Sequence, residues 1–332
     1  MNLQNKLRAT LATLALISIA AAPALAWGDR ATAEGQFTRT LSVTGAVDLN
    51  VRTSAGSITV TPDSGSEVRV LGKIKVRRDS LSDAQALVRE IEANPPIEQT
   101  GNTIRIGRTE DRDREWRRNV SISYEIVVPK ATRLTAGTGS GSASVTGIDG
   151  PLDASTGSGG ITIAGIGGEV NASTGSGSIR ISGVNGRLKA NTGSGSINAS
   201  GVAGAITAST GSGSVDLEQV AAGDVDVSTG SGRIAVSNVK GRLRAHTGSG
   251  TIRADGSPAG DWNLHTSSGS IYVKLPADAG FELAAETSSG RINSAHPVTL
   301  VGTLSPRKMR GKVRGGGFLL DVSTSSGSIH IE

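Results

Sequence analysis

Cysteine is absent from the 332 residues. That excludes disulfide staples, thiol catalysis and a lipid-modified cysteine behind an export signal. Aromatic residues are scarce, with three Trp, three Phe and two Tyr, so the expected core is a narrow one of Ile, Val, Leu and Ala rather than one built on large rings. Charge of one sign is lacking too. The 34 basic and 29 acidic residues give +5; setting aside the first 26 residues, which hold Lys6 and Arg8 and no acid, leaves 32 against 29, or +3. So mild an excess argues against nucleic acid as a partner. No apolar run reaches the roughly 20 residues of a membrane-spanning helix, because Thr10, Thr13, Ser18 and Pro23 interrupt the one candidate.

That candidate has the layout of an export signal. Lys6 and Arg8 give a charged start, Ala9 to Ala22 a short apolar centre, and Ala24-Leu25-Ala26 a small-x-small cleavage site. Residues 1–26 are therefore expected to be removed on export.

Glycine, at 46 residues, is abundant, and its placement is periodic. Thr174-Gly175-Ser176-Gly177-Ser178-Ile179 is one copy of a phrase whose threonine recurs at Thr53, Thr138, Thr156, Thr174, Thr192, Thr210, Thr229, Thr247, Thr266, Thr287 and Thr324. From Thr138 the spacing is 18 or 19 residues until two last gaps of 21 and 37. A short fixed period signals stacked structural repeats. Apolar residues stand four and two places before the threonine (Leu188 and Ala190 before Thr192) and five and seven places after it (Ile179 and Ile181 after Thr174). Separations of two are the strand period, so each repeat should hold two short strands with alternate side chains turned inward. Ten places after the threonine, Ile148, Ile166, Val184, Val202, Val220 and Val239 should point inward at a bend. One such coil buries too little to hold alone, so the stack is the unit of stability.

The glycine three places after the threonine never varies: Gly141, Gly159, Gly177, Gly195, Gly213, Gly232, Gly250, Gly269, Gly290 and Gly327, with Gly56 in the first copy. Such a corner needs either positive φ or room that a Cβ would fill. The fold expected is all-β, a parallel β-solenoid of about ten 18–19-residue coils over 134–332. A small α+β capping region over 27–133 would contain strands, the first repeat and a helix. In that region Phe37 to Val43 suggests a strand, Val68, Val70, Ile74 and Val76 a strand pair, and Ile104, Ile106, Ile122, Tyr124 and Ile126 further strands. Leu81, Ala84, Val88 and Ile91 fall at helical spacing behind Ser80, a potential N-cap, and Asn94-Pro95-Pro96 stops the helix. Arg108 to Arg118, with five Arg and four acids around Trp116, reads as a solvated hairpin.

Chemistry-bearing motifs are weak. Thr-Gly-Ser-Gly-Ser resembles a phosphate-cradling loop, but a strand follows it rather than a helix. No Gly-x-Ser-x-Gly elbow occurs. His246 and His265 each precede a repeat threonine and should form an outward ladder between Ser228 and Glu286; further metal ligands are not evident. Asp216, Asp224 and Asp226 lie close in sequence and offer a weak candidate for a hard cation. No catalytic set, cofactor or metal site is assigned. The one candidate binding stretch is Ser305 to Gly317, where Arg307, Lys308, Arg310, Lys312 and Arg314 occur with no acid. If extended, Lys308, Arg310, Lys312 and Arg314 share a face suited to a polyanion such as an acidic glycan or lipid headgroups.

The repeat phrase, together with Ser323-Thr324-Ser325-Ser326-Gly327-Ser328-Ile329-His330-Ile331, Tyr124-Glu125-Ile126-Val127-Val128-Pro129 and Gly315-Gly316-Gly317, resembles the bacterial putative-adhesin family of exported domains of unknown function. The resemblance spans nearly all of the chain after the signal. It implies a single-chain β-solenoid in the cell envelope and brings no catalytic residues. Two function classes follow: a non-enzymatic repeat scaffold that binds an envelope polymer or protein, and a β-helix polysaccharide lyase or hydrolase. A third reading is an accessory role in envelope signalling.

Overall fold

The threonine-centred period becomes the architecture. The computed structural model describes residues 30–107, 119–301 and 305–332. The expected export signal and the segment from Arg108 to Arg118 lie outside the described residues. Among the described residues the chain is nearly all β, with one helix and two parallel-rich sheets of 14 and 15 strands. In each coil the strand leading to the threonine joins the 15-stranded back sheet, and the strand after the corner joins the 14-stranded front sheet. Thr156, Thr174 and Thr192 are register partners across the back sheet, as Ile161, Ile179 and Ile197 are across the front. The inward rows meet between the sheets, where Leu188, Ala190, Ile197, Ala199 and Val202 are all buried.

The repeat threonines are buried as well, from Thr138 to Thr324, and each finds partners at the corner. Thr174 Oγ1 donates to the carbonyl of Gly159 in the preceding coil at 2.9 Å and accepts from the N–H of its own Gly177 at 3.1 Å. The same donation runs from Thr192 to Gly177 and from Thr210 to Gly195. Crowding at this point accounts for the glycine. A Cβ on Gly177 would overlap the carbonyl oxygen of Gly159, and a Cβ on Gly195 that of Gly177. From Thr229 onward the threonine still bonds the coil before it, but the corner N–H turns to the next coil's backbone, Gly232 to Ser249 at 2.9 Å. This change falls at the first 19-residue spacing.

The first repeat joins the stack directly. Strand β1 is Ala31–Ser42, β2 Val47–Thr53, β3 Ile58–Asp63 and β4 Glu67–Arg78. Thr53 is the register partner of Thr138, although 85 residues separate them. Helix α1 (Leu81–Ala93), β5 (Ile97–Thr100), β6 (Thr103–Ile106) and β7 (Val120–Pro129) come from that intervening stretch. Strand β7 pairs parallel with β3, and β4 and β1 then continue the front sheet antiparallel. The residues read as a strand pair around Val68 to Val76 thus form one long strand. Helix α1 packs on β1 and β4 through Ala84, Val88 and Ile91, while Leu81, expected on that apolar face, is 51% exposed. Ser80 holds the N-cap position without a side-chain capping bond.

At the other end the spatial order of coils departs from the chain order. The last repeat, Phe318–Ser326 with Ile329–Ile331, lies between the coils of Thr266 and Thr287. Thr324 bonds Gly269 and Thr287 bonds Gly327, both at 2.9 Å. The coil of Thr287 is therefore outermost, and the strands Lys308–Val313 and Val298–Leu300 extend the back sheet antiparallel beyond it. One inward position also departs from expectation. Val220 is 51% exposed and Gln219 is buried in its place, where a register shift in the ladder pairs Gln219 with Val202. The amide is satisfied by the carbonyls of Gly223 and Gly204 and by the Lys240 N–H.

Replacing Thr192 with Val keeps the shape and removes the hydroxyl that joins Gly177 to Gly195. Leaving those two backbone groups unpaired should cost about 1–3 kcal/mol, and Thr192→Ser should recover most of it. Urea melts of the three proteins check this; a valine variant as stable as the parent would refute the stitching role.

Candidate functional site

Because inward positions are fixed by the core, chemical variety is left to the outward rows. On the front sheet the row six places after each threonine reads Thr162, Arg180, Asn198, Asp216, Ala235, Arg253, Tyr272, His330 in spatial order. The row two residues further on includes Ser182, Ser200, Glu218, Ser237 and Asp255. Between Arg180 and Arg253 these rows enclose a shallow groove of about 540 Å³ whose lining includes Asn198, Ser200, Asp216, Glu218, Ala235 and Asp255. The short side chain of Ala235, between the register neighbours Asp216 and Arg253, opens the middle of it.

The walls are held in place. Arg233 Nη2 bonds Asp216 Oδ1 at 2.7 Å. Arg253 lies over the ring of Tyr272, 4.9 Å from its centre, and Tyr272 stacks on His330 at 4.9 Å. A guanidinium held on an aromatic face loses little further freedom when it binds a ligand. The groove therefore offers cationic, anionic, amide and hydroxyl groups along an open sheet face. The sequence reading did not single it out, apart from Asp216. Reading down the polar column six places after each threonine would have located it.

The back sheet carries a second groove, of about 540 Å³, lined among others by Arg187, Asp224, Asp226, Arg242, Arg244 and Asp261. Asp224 is engaged there: the Arg242 guanidinium at 2.8 Å and the Arg242 backbone N–H at 3.1 Å hold its carboxyl below the ordinary carboxylate range. Asp216 belongs to the front sheet and Asp224 and Asp226 to the back, so the three acids do not converge on one ion. Among the described residues no group of three or more His, Asp and Glu could hold a metal.

His246 and His265 stack with ring centres 5.2 Å apart, forming the expected outward ladder on Ser228. The neighbour on the far side is Ser323, which bonds His265 Nδ1 at 2.9 Å, and Glu286 comes one coil later. This follows from the insertion of the last repeat.

The basic stretch forms the strand Lys308–Val313, with Lys308, Arg310 and Lys312 on its exposed face. Arg314 lies beyond the strand, at φ 47°. The sequence showed no acid within the stretch, but antiparallel pairing brings two from the neighbouring strand. Lys308 pairs with Glu286 at 3.2 Å and Lys312 with Glu282 at 2.8 Å. Arg307 ends the row, its carbonyl accepting from the Thr287 N–H.

A family model described as Toastrack DUF4097 matches residues 35–332. Two solved structures are similar: a putative cell adhesion protein from Clostridium sporogenes, 12% identical over 90% of this chain and 99% of that one with a TM-score of 0.25, and a putative adhesin from Bacteroides fragilis, 13% identical over 90% and 97% with a TM-score of 0.27. No curated protein matches the chain.

The pairing geometry makes a directional prediction for the basic strand. If Lys308, Arg310 and Lys312 act together on polyanions, removing the paired acids as Glu282→Gln with Glu286→Gln should strengthen retention on an anionic matrix at low salt. That gain should vanish at high salt. Salt-gradient elution on a sulfated resin measures it, and elution no later than the parent would remove the strand as an anion site.

Proposed function

The chain belongs to the Toastrack DUF4097 family, and from that premise and its outward rows we propose that it is a non-enzymatic binding scaffold of the bacterial envelope. It would be exported by way of residues 1–26. Its ligand would be an extended, hydroxyl-rich envelope polymer, a glycan in the first instance, lying in the front-sheet groove. The observation that carries this reading is the groove itself. It is open along the sheet, runs over six coils from Thr162 to Arg253, and repeats polar groups at the roughly 4.8 Å strand spacing.

A polymer with its own repeat meets such a surface many times at once, so weak single contacts add through multivalency. Arg180 and Arg253 suit acidic substituents, while Asn198, Ser200 and Ser237 suit sugar hydroxyls. The alternative of a lyase or hydrolase requires acid, base and charge-stabilising groups converging on one bond. Among the described residues, two of the groove's three acids favour the binding reading, because Asp216 is engaged by Arg233 and the Asp255 carboxylate accepts from the Asn238 N–H, which leaves Glu218 as the one acid without such an engagement.

The test is a panel of neutral and acidic envelope glycans and peptidoglycan, scored for both retention and release of new reducing ends. The combined variant Arg180→Ala, Asn198→Ala, Arg253→Ala should bind its best ligand at least tenfold more weakly while keeping the parent's circular dichroism. Equal binding by that variant would reject the groove, and released product would reject the non-enzymatic reading.

A further inference from the structure

Among the described residues the last repeat is received between two coils that precede it in the chain rather than added to an end, much as β7 enters between β3 and β4. By the end of the strand Ile292–Ser294 both walls of a gap are complete: the coil of Thr266 on one side and the coil of Thr287 on the other. Residues 318–332 then enter between them, with Leu320, Val322, Ile329 and Ile331 fully inside the core. Both edges of the gap are unpaired parallel strands until it is filled. Its side-chain pattern, the Gly269 carbonyl that accepts at one corner and the Thr287 hydroxyl that donates at the other admit any segment with the repeat's own phrase.

The link that delivers the segment is short and constrained. Phe281 pairs with Val313 on one side and Phe318 on the other, so residues 314–317 must step across a whole strand, roughly 10 Å from neighbour to neighbour. They do so with φ values of 47°, 83°, 95° and 159° at Arg314, Gly315, Gly316 and Gly317, folded tightly over Gly280. The three glycines take up such conformations readily, whereas the left-handed conformation at Arg314 is costly for a residue with a Cβ. Straightened, the same four residues reach away from their own gap.

We infer that residues 318–332 are an exchangeable coil, and that two copies of this chain join by each placing this segment in the other's gap. Every strand pairing and every buried contact of the segment is the same in the exchanged dimer as in the monomer. Only the hinge differs, and there exchange relieves the step-over. This is the condition under which element swapping is a low-cost route to a dimer. The exchange would give a two-fold scaffold with two front-sheet grooves, and it stands whether or not those grooves bind a glycan.

Ser268 and Ser326 are exposed register partners across the gap, close enough on neighbouring strands for a disulfide, and the chain has no other cysteine. The double variant Ser268→Cys, Ser326→Cys should close a disulfide within one chain, which checks the register. Separately tagged Ser268→Cys and Ser326→Cys full-length chains, unfolded together and refolded under oxidising conditions, should give a covalent heterodimer whose share rises with protein concentration. Gly316→Val, disfavoured at φ 95°, should raise that share several-fold. A double variant that fails to close, or one that closes while the mixture gives no heterodimer, overturns the inference. A share unchanged by Gly316→Val overturns the role given to the hinge.

Discussion

One hydroxyl per coil fixes the geometry on which the rest of the molecule depends. A parallel stack can slide or fan unless something sets the corner, and a corner is where backbone groups turn away from the strand ladder and lose their partners. The repeat threonine sits at that point, donating to the corner carbonyl of the coil before it. A buried carbonyl left unpaired is costly, so the hydroxyl has to reach it. To do so the two corners must approach until no Cβ fits between them. Threonine and glycine are thus two halves of one constraint.

The same constraint explains how the ends are finished. A stack of identical parallel coils would present open strand edges at both ends, and those edges invite further pairing. At the start, β4 and β1 reverse direction and helix α1 covers them. Outward-pointing edge groups are also engaged: Gln36 N–H donates to the Glu92 carboxylate and Ser42 carbonyl accepts from the Gln99 amide. At the far end the antiparallel strand Lys308–Val313, with alternating charges, and the three-residue edge strand Val298–Leu300 close the back sheet, and the front sheet ends in three residues, Ile292–Ser294.

Much of this was legible in the sequence because the core obeys two simple periods. The inward rows, the corner glycines and the outward histidine ladder all follow from counting places from the threonine. The order of the last coils does not, since Thr266, Thr287 and Thr324 carry interchangeable phrases and a repeat holds no information about which copy lies beside it. The 21- and 37-residue gaps marked an irregularity without giving its form. Val220 was misplaced because its coil reaches the inward position one residue sooner, Leu217 to Gln219 standing opposite Ala199 to Val202, and the Gln219 amide that results is accommodated by nearby carbonyls that accept from it. For the sites, the row of cations from Lys308 to Lys312 was visible. Glu282 and Glu286 were not visible as its partners, because antiparallel register, which joins Lys308 to Glu286 and Lys312 to Glu282, is a property of the fold.

Where the inside of a protein is built from one repeated device, the inside cannot encode what distinguishes it from another stack of the same kind. Each inward position accepts Leu, Ile, Val or Ala with little consequence beyond volume, and each corner accepts only glycine. Selectivity must therefore be written on the outward rows, and there the front sheet is the least uniform surface: Ala235 interrupts a line of long polar side chains, and Arg253, Tyr272 and His330 form a stacked series that no repeat rule requires. Stacking a guanidinium on a phenol and an imidazole at an exposed face contributes little to stability in water, so the core does not account for its presence. Under the proposed binding role, holding Arg253 in one orientation at the end of a groove would account for it, because a pre-set cation binds an anionic or polar group with less loss of freedom than a mobile one.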